Sequence, residues 1–175
     1  MKIVIGSGGV PEIGWVTTDI NRLDISKEED WKSLLGEDLK ASNLFSEHVW
    51  EHIPRDVIQS STDLCYKYLM DDGRIRIAVP DGNHPDQNYI DHVKPNGIGP
   101  GSDDHKILYT YDILKKELES SGFKVVLVEY WDENKEFHRQ EWNSEDGHVR
   151  RSADHDPRNQ DGSLTYTSLI VDGIK

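Results

Sequence analysis

Histidine and carboxylate side chains are where chemistry can start, and residues 47–54, Glu-His-Val-Trp-Glu-His-Ile-Pro, concentrate them. His48, Glu51 and His52 spell H-x-x-E-H. On an α-helix that spacing sets two imidazoles one turn apart around a carboxylate, the donor set of a hydrolytic zinc site. Such a use needs the whole motif inside one helix. Pro54 stands two residues past His52, disfavours helix in the residue before it and suits the first turn of a helix that begins there. His48 closes an apolar, strand-like run. The motif is therefore expected to straddle a strand end and a turn, and no metal ligand is assigned. A metal-dependent hydrolase using His48, Glu51 and His52 stays as an alternative, because His84, His92, His105, His138, His148 and His155 offer further donors.

Other residues would bind rather than react. Gly6-Ser-Gly-Gly9 follows a short apolar run, and glycine lets a backbone approach a ligand closely. Asp19 and Asp24 follow a second such run; each in isolation also reads as a turn or cap residue. Asp81 after Pro80 is a natural turn residue. The stretch Arg150-Arg-Ser-Ala-Asp-His-Asp-Pro-Arg158 is either a solvated loop or a surface for an anionic or sugar-like ligand, with Arg151 and Arg158 as forked donors.

These residues need elements to hold them. Lys2–Ile5 reads as a buried strand, and residues 15–20 as a second one. Ser26-Lys-Glu-Glu29 reads as a capping box opening a helix that buries Trp31, Leu34, Leu35 and Leu39. A strand is expected over 43–48, then a helix from about Arg55 to Leu69 with Val57, Ile58, Leu64, Cys65, Tyr68 and Leu69 on its apolar side. Asp72-Gly73 turns the chain into the alternating strand 74–79, whose Ile75, Ile77 and Val79 share one face. A helix N-capped by Thr110 buries Ile113, Leu114 and Leu118 and stops at Gly122. Strands follow at 124–131 and 164–171. The polar segments 81–106 and 132–163 are far longer than ordinary connections, and loops of that length usually carry function. Alternating strands and helices that end in a strand pair predict a mostly parallel α/β sheet with a hairpin-like finish. Ligands bind such sheets beyond the carboxyl ends of the strands, which is where Gly6–Gly9, Asp19, Glu47–His48 and Asp81 fall.

Composition narrows the functions. The 175 residues suit a single domain, 1–175, and carry a formal net charge of −13. That sign repels phosphate backbones, so nucleic acid is not the expected partner. Arg74 with Arg76 could form a local basic patch; an ion-paired surface is the favoured reading. No apolar run reaches membrane-spanning length, and the N-terminal run is too short for a signal peptide. One cysteine, Cys65, rules out an internal disulfide and fits a reducing, cytoplasmic compartment as a buried thiol.

In order, the glycine turn, Asp19, Asp24, Ser46-Glu-His-Val-Trp-Glu-His-Ile53, Met70-Asp-Asp-Gly-Arg-Ile-Arg-Ile-Ala-Val-Pro-Asp81, and the His105–Thr110 helix start with Leu114-Lys-Lys-Glu-Leu118 resemble the class I S-adenosylmethionine-dependent methyltransferases, over roughly residues 2–131. The likeness is strongest to their small predicted members. It implies a Rossmann-like, seven-stranded, mostly parallel sheet with helices on both faces and an antiparallel strand near the C-terminus. It implies S-adenosylmethionine as cofactor, with Gly6 and Gly8 beside its methionine part, Asp19 at the ribose hydroxyls, Asp24 near the adenine, and Glu47 facing the cofactor. The implied chemistry is in-line methyl transfer to a small-molecule or saccharide acceptor, on oxygen, with His48 as first, His105 as second and His84 as third candidate base; His84 is also placed on the substrate side, as Arg151 and Arg158 are by the charge of their own loop. The sequence departs from the pattern between Gly9 and Trp15, where Pro11 and Gly14 spoil the expected helix, and it lacks the acid before the first glycine. That departure keeps open a non-catalytic, methyltransferase-like binding domain, or a homo-oligomer whose second subunit completes the site.

Overall fold

The structure, a computed structural model, describes residues 1–36 and 39–175. Seven strands form one sheet: β1 Lys2–Ile5, β2 Val16–Thr17, β3 Ala41–Glu47, β4 Leu69–Pro80, β5 Lys124–Trp131, β6 Phe137–Arg139 and β7 Ser168–Ile174. Their order is β2-β1-β3-β4-β7-β5-β6. β1, β2, β3 and β4 pair in parallel, and β7 enters antiparallel between β4 and β5. The carboxyl ends of β1, β3, β4 and β5 therefore share one edge with the start of β7.

Alternation along the strands sorts two layers. Ile3, Ile5, Leu44, Ile75, Ile77, Val79, Leu169 and Val171 face a core closed by helices α1 Glu28–Leu35, α2 Ile58–Tyr68 and α4 Tyr111–Ser120 through Trp31, Leu35, Cys65, Leu114 and Leu118. Val4, Phe45, Ala78, Val128 and Ile170 face the other way and are covered by Val149 and Trp142 of the segment 132–163. The three packing helices thus lie on one face, where a helical layer on each was expected. Residues 10–14, with Pro11 and Gly14 (φ +80°), form no helix between β1 and β2, and irregular chain takes the vacant place.

A buried ion pair fastens that cover. Arg76 Nε and Nη2 each donate to Asp172 at 2.8 Å, while Arg76 Nη1 donates to the carbonyls of Asn143 and Gly147. Arg74 also bonds Asp172. The Arg74–Arg76 cluster is ion-paired as expected, but Arg76 and Asp172 are buried, so it is an internal clamp rather than a surface.

Several boundaries moved. Residue Lys27, not Ser26, caps α1; Ser26 Oγ bonds Asp24, so the capping box does not form. Gly36 ends α1 at φ +81°, which leaves Leu39 beyond the helix and 62% exposed. The Asp72-Gly73 turn is a bulge inside β4, with Asp72 at φ +61°. Thr110 is the N-cap of α4 by position, but its hydroxyl bonds the Asp112 side chain rather than the backbone. The segment 81–106 holds a further helix, α3 Gln87–Val93, capped by the Asp86 side chain. No helix of the described residues is long and apolar enough to cross a membrane.

Candidate functional site

The site grows from the ends of β1 and β3. β1 stops in Gly6, Gly8 and Gly9, all at positive φ. A Cβ on Gly6 would meet Val49 Cγ2 at 2.4 Å, so this glycine serves close packing; Gly8 and Gly9 have open space above them. Asp19, just past β2, turns inward: its Oδ1 accepts the Gly8 N–H at 2.8 Å and its Oδ2 the Ser7 hydroxyl at 3.1 Å. It shapes the glycine turn, with one bond at each oxygen. Asp24 accepts from the backbone N–H and hydroxyl of Ser26 and pairs with Lys27 at 3.0 Å. Beside it, Ile20, Leu23, Ile25, Val49, Ile53 and Val57 line an apolar slot of about 380 Å³ that also touches Gly6 and His52.

At the end of β3, Glu47 accepts the Arg151 backbone N–H at 2.8 Å and lies 3.8 Å from the guanidinium groups of Arg150 and Arg151. His48 adopts φ +57°, a left-handed conformation uncommon outside glycine, with its backbone N–H bonded to the Ala78 carbonyl. That twist points the imidazole at the start of β7: Nε2 lies 3.0 Å from Ser168 Oγ, and Nδ1 lies 3.3 Å from Glu51 Oε1. Burial, reinforced by the Arg151 charge, holds the His48 pKa well below the usual histidine range, so the ring is neutral near pH 7. A cleft of about 710 Å³ runs from the glycine turn past Glu47 and His48 to Arg150, Arg151 and Arg158. A second, of about 480 Å³, joins His48, Arg151 and Arg158 to Glu51, His52, His105 and Tyr166. Arg158 forks onto Asp156 and lies over the Tyr166 ring, 3.4 Å from its centre.

The H-x-x-E-H stretch is not a helix. His48 lies outside the short 3-10 turn Trp50–His52 that holds the other two residues. Glu51 and His52 instead converge with His105, whose Nδ1 donates to the Val93 carbonyl at 2.6 Å.

Burial places two further candidates inside the fold. His84 stacks on Tyr89 at 3.9 Å, accepts the Asp86 N–H at Nδ1 and donates through Nε2 to the Leu164 carbonyl. Both nitrogens are used inside the fold, and it lines neither cleft beside His48. Asp81 is fully buried and accepts the backbone N–H groups of Asn83 and Trp131; it clamps β4 to β5. Sequence reasoning passed over Ser168 and Tyr166, placed in or before a strand read as structural. It also passed over the apolar slot, whose walls come from three separate connections and leave no local pattern.

No family model matches the sequence, and no curated protein does. Solved structures do match in shape. A SAM-dependent methyltransferase from Archaeoglobus fulgidus superposes with a TM-score of 0.56 at 18% identity, over 99% of this chain and 85% of that one. One from Thermotoga maritima gives 0.56 at 9% identity, over 99% and 81%. One from Mesorhizobium loti gives 0.53 at 12% identity, over 99% and 90%. Sheet order, the antiparallel β7 and the clefts at the carboxyl edge agree with this likeness: the chain has the Rossmann-like fold of the SAM-dependent methyltransferases.

Proposed function

We propose that the protein transfers a methyl group from S-adenosylmethionine to a hydroxyl of a small molecule or saccharide. The observation that carries the reading is a convergence at one sheet edge: the open Gly8–Gly9 turn, the apolar slot beside Asp24, and the neutral, buried His48. The residues fit the cofactor. The slot is apolar on both sides, as an adenine ring needs, and the glycine turn leaves room for a backbone-close ligand. Asp19 offers its remaining lone pairs to ribose hydroxyls. When bound, the cofactor supplies an electrophilic methyl group on a sulfonium.

The protein then has little covalent work to do, and alignment dominates. Arg151, Arg158 and Tyr166 hold the acceptor on the far side of His48. The His48 Nε2 takes the hydroxyl proton as the oxygen attacks, with Ser168 Oγ beside it and Nδ1 3.3 Å from Glu51. The net charge of −13 supports a small acceptor over nucleic acid.

Calorimetric titration with S-adenosylhomocysteine tests the reading. Micromolar binding that Ile20→Glu abolishes without lowering the melting temperature supports it; Ile20 lines the slot yet is 78% exposed, so the fold does not need it. Absence of binding at millimolar ligand overturns it. The engagement of both Asp19 oxygens with its own loop favours, in that case, a domain that binds a partner without turnover.

A further inference from the structure

Glu51 is the anomaly of the molecule. Its side chain is 1% exposed, and among the described residues neither carboxylate oxygen has a hydrogen-bond partner. The contact with His48 Nδ1 at 3.3 Å lacks the alignment of a hydrogen bond. A buried carboxyl group left this way costs free energy in either protonation state, and such a group calls for an unseen partner.

Two imidazoles converge with it. The ligand-capable atoms of Glu51, His52 and His105 lie within 4.8 Å of one another. The His105 Nδ1 proton is committed to the Val93 carbonyl at 2.6 Å, and the His52 Nδ1 proton to Asp104 Oδ2 at 3.2 Å. Each ring therefore keeps its lone pair on Nε2. A ring N–H anchored on a carbonyl or carboxylate is the outer-shell arrangement that orients histidine ligands. The His52 and His105 rings sit edge to face at 4.7 Å, and the Lys106 N–H bonds the Glu51 carbonyl at 2.6 Å, which ties the two segments together.

We propose that Glu51, His52 and His105 bind one divalent first-row transition-metal ion of the zinc type, with an open coordination position facing the cleft that contains His48. Two imidazoles and one carboxylate favour such an ion over magnesium or calcium, which take all-oxygen sets. Donors on one tetrahedral zinc stand roughly 3.3 Å apart. The His52 side chain is 32% exposed and its partner Asp104 62%, so the bonded pair lies at the surface, where metal binding would draw it inward. The fourth position is left to water or to an oxygen of a substrate in the cleft. This assignment goes beyond methyl transfer and does not depend on it.

A second acid–histidine cluster, Asp132, Glu136 and His138, serves as the control. It is more exposed, and its partners are already its own: His138 Nε2 meets Asp132 Oδ2 at 2.9 Å, and Asp132 Oδ1 accepts two backbone N–H groups.

The experiment uses tag-free full-length protein, stripped with a chelator and titrated with zinc chloride against a chromophoric competitor, with bound metal counted by elemental mass spectrometry. Expected is about one equivalent of zinc at micromolar affinity or tighter, weakened at least ~10-fold by Glu51→Gln and by His105→Ala, and unchanged by His138→Ala. Cobalt substitution should give visible bands that Glu51→Gln removes. Glu51→Gln keeps the side-chain volume, and His52→Ala at a partly exposed ring stands in if His105→Ala does not fold. The proposal is overturned by substoichiometric zinc in the wild type, by unchanged affinity in both site variants, or by loss of binding in His138→Ala.

Discussion

His48 shows how one residue is forced into place. A histidine held at φ +57° is uncommon, and such strain persists where the surroundings over-determine it. Here the backbone bond to Ala78 and the contacts with Ser168 and Glu51 do so. If His48 takes the acceptor proton, His48→Ala lowers turnover by about 10²- to 10⁴-fold while S-adenosylhomocysteine affinity, read by calorimetry, stays within experimental error. An equal loss of both would make His48 a packing residue. The glycines separate by the same logic. Gly8→Ala should cost about 1–2 kcal/mol for its left-handed backbone and weaken cofactor affinity. Gly6→Ala should cost more in a urea titration, because its Cβ collides with Val49. The residues of the site were legible because chemistry-bearing types are rare and clustered in 47–54. Their contacts were not: the convergence of Glu51 with His105 links distant parts of the chain and depends on a turn that Pro54 announces without specifying.

Elements with strong local signals were read well. β1, β3, α2, β5 and α4 all fall within a few residues of the expected ranges, because each shows a clear period and a stop signal such as Gly122. The failures share one cause, a tertiary contact that outweighs local preference. Trp131 donates its indole N–H to Thr167 and packs on Phe137, so β5 turns back into the unforeseen β6. Asn159 holds Tyr166 by both its N–H and its carbonyl, so β7 begins at Ser168 rather than at Leu164. The segment 132–163, polar enough to read as a solvated loop, is a structural layer because Arg76 anchors it. Removing one partner of a buried ion pair leaves an uncompensated charge, at a cost of about 3–5 kcal/mol. Asp172→Ala should therefore lower stability by that amount in urea. It should also raise proteolytic cleavage within 140–150 before the rest of the chain unfolds. A loss below about 1 kcal/mol would mean that Arg76 reaches solvent and the cover is only loosely held.

At the scale of the whole molecule, the acidic balance and the buried acids act in the same direction. The net charge of −13 repels itself more strongly as pH rises. Burial pushes Asp81 up to about 6 and Glu117 up to about 7, and raises Glu129 as well. A carboxyl group whose pKa is higher folded than unfolded binds more protons in the folded state, so stability rises as pH falls. For Glu117 the contribution is fully present below its ordinary value of 4.5 and is lost as pH rises through 7; its size is about 3 kcal/mol by the unit conversion. The buried acids therefore favour pH 5.5 over pH 8 in urea, against the opposite slope of His48, His84 and His105, whose pKa burial lowers. Glu117→Gln isolates one share of the acids' slope. The amide introduced by this substitution would keep an oxygen for the indole N–H of Trp50 and offer an N–H to the Tyr109 oxygen, so the local bonds survive while the titration disappears. The difference in unfolding free energy between wild type and this variant should change across pH 5.5–8 and flatten below 4.5. A constant difference over the whole range would mean that Glu117 titrates alike in the folded and unfolded chain, leaving the slope to Asp81, Glu129 and the acidic surface.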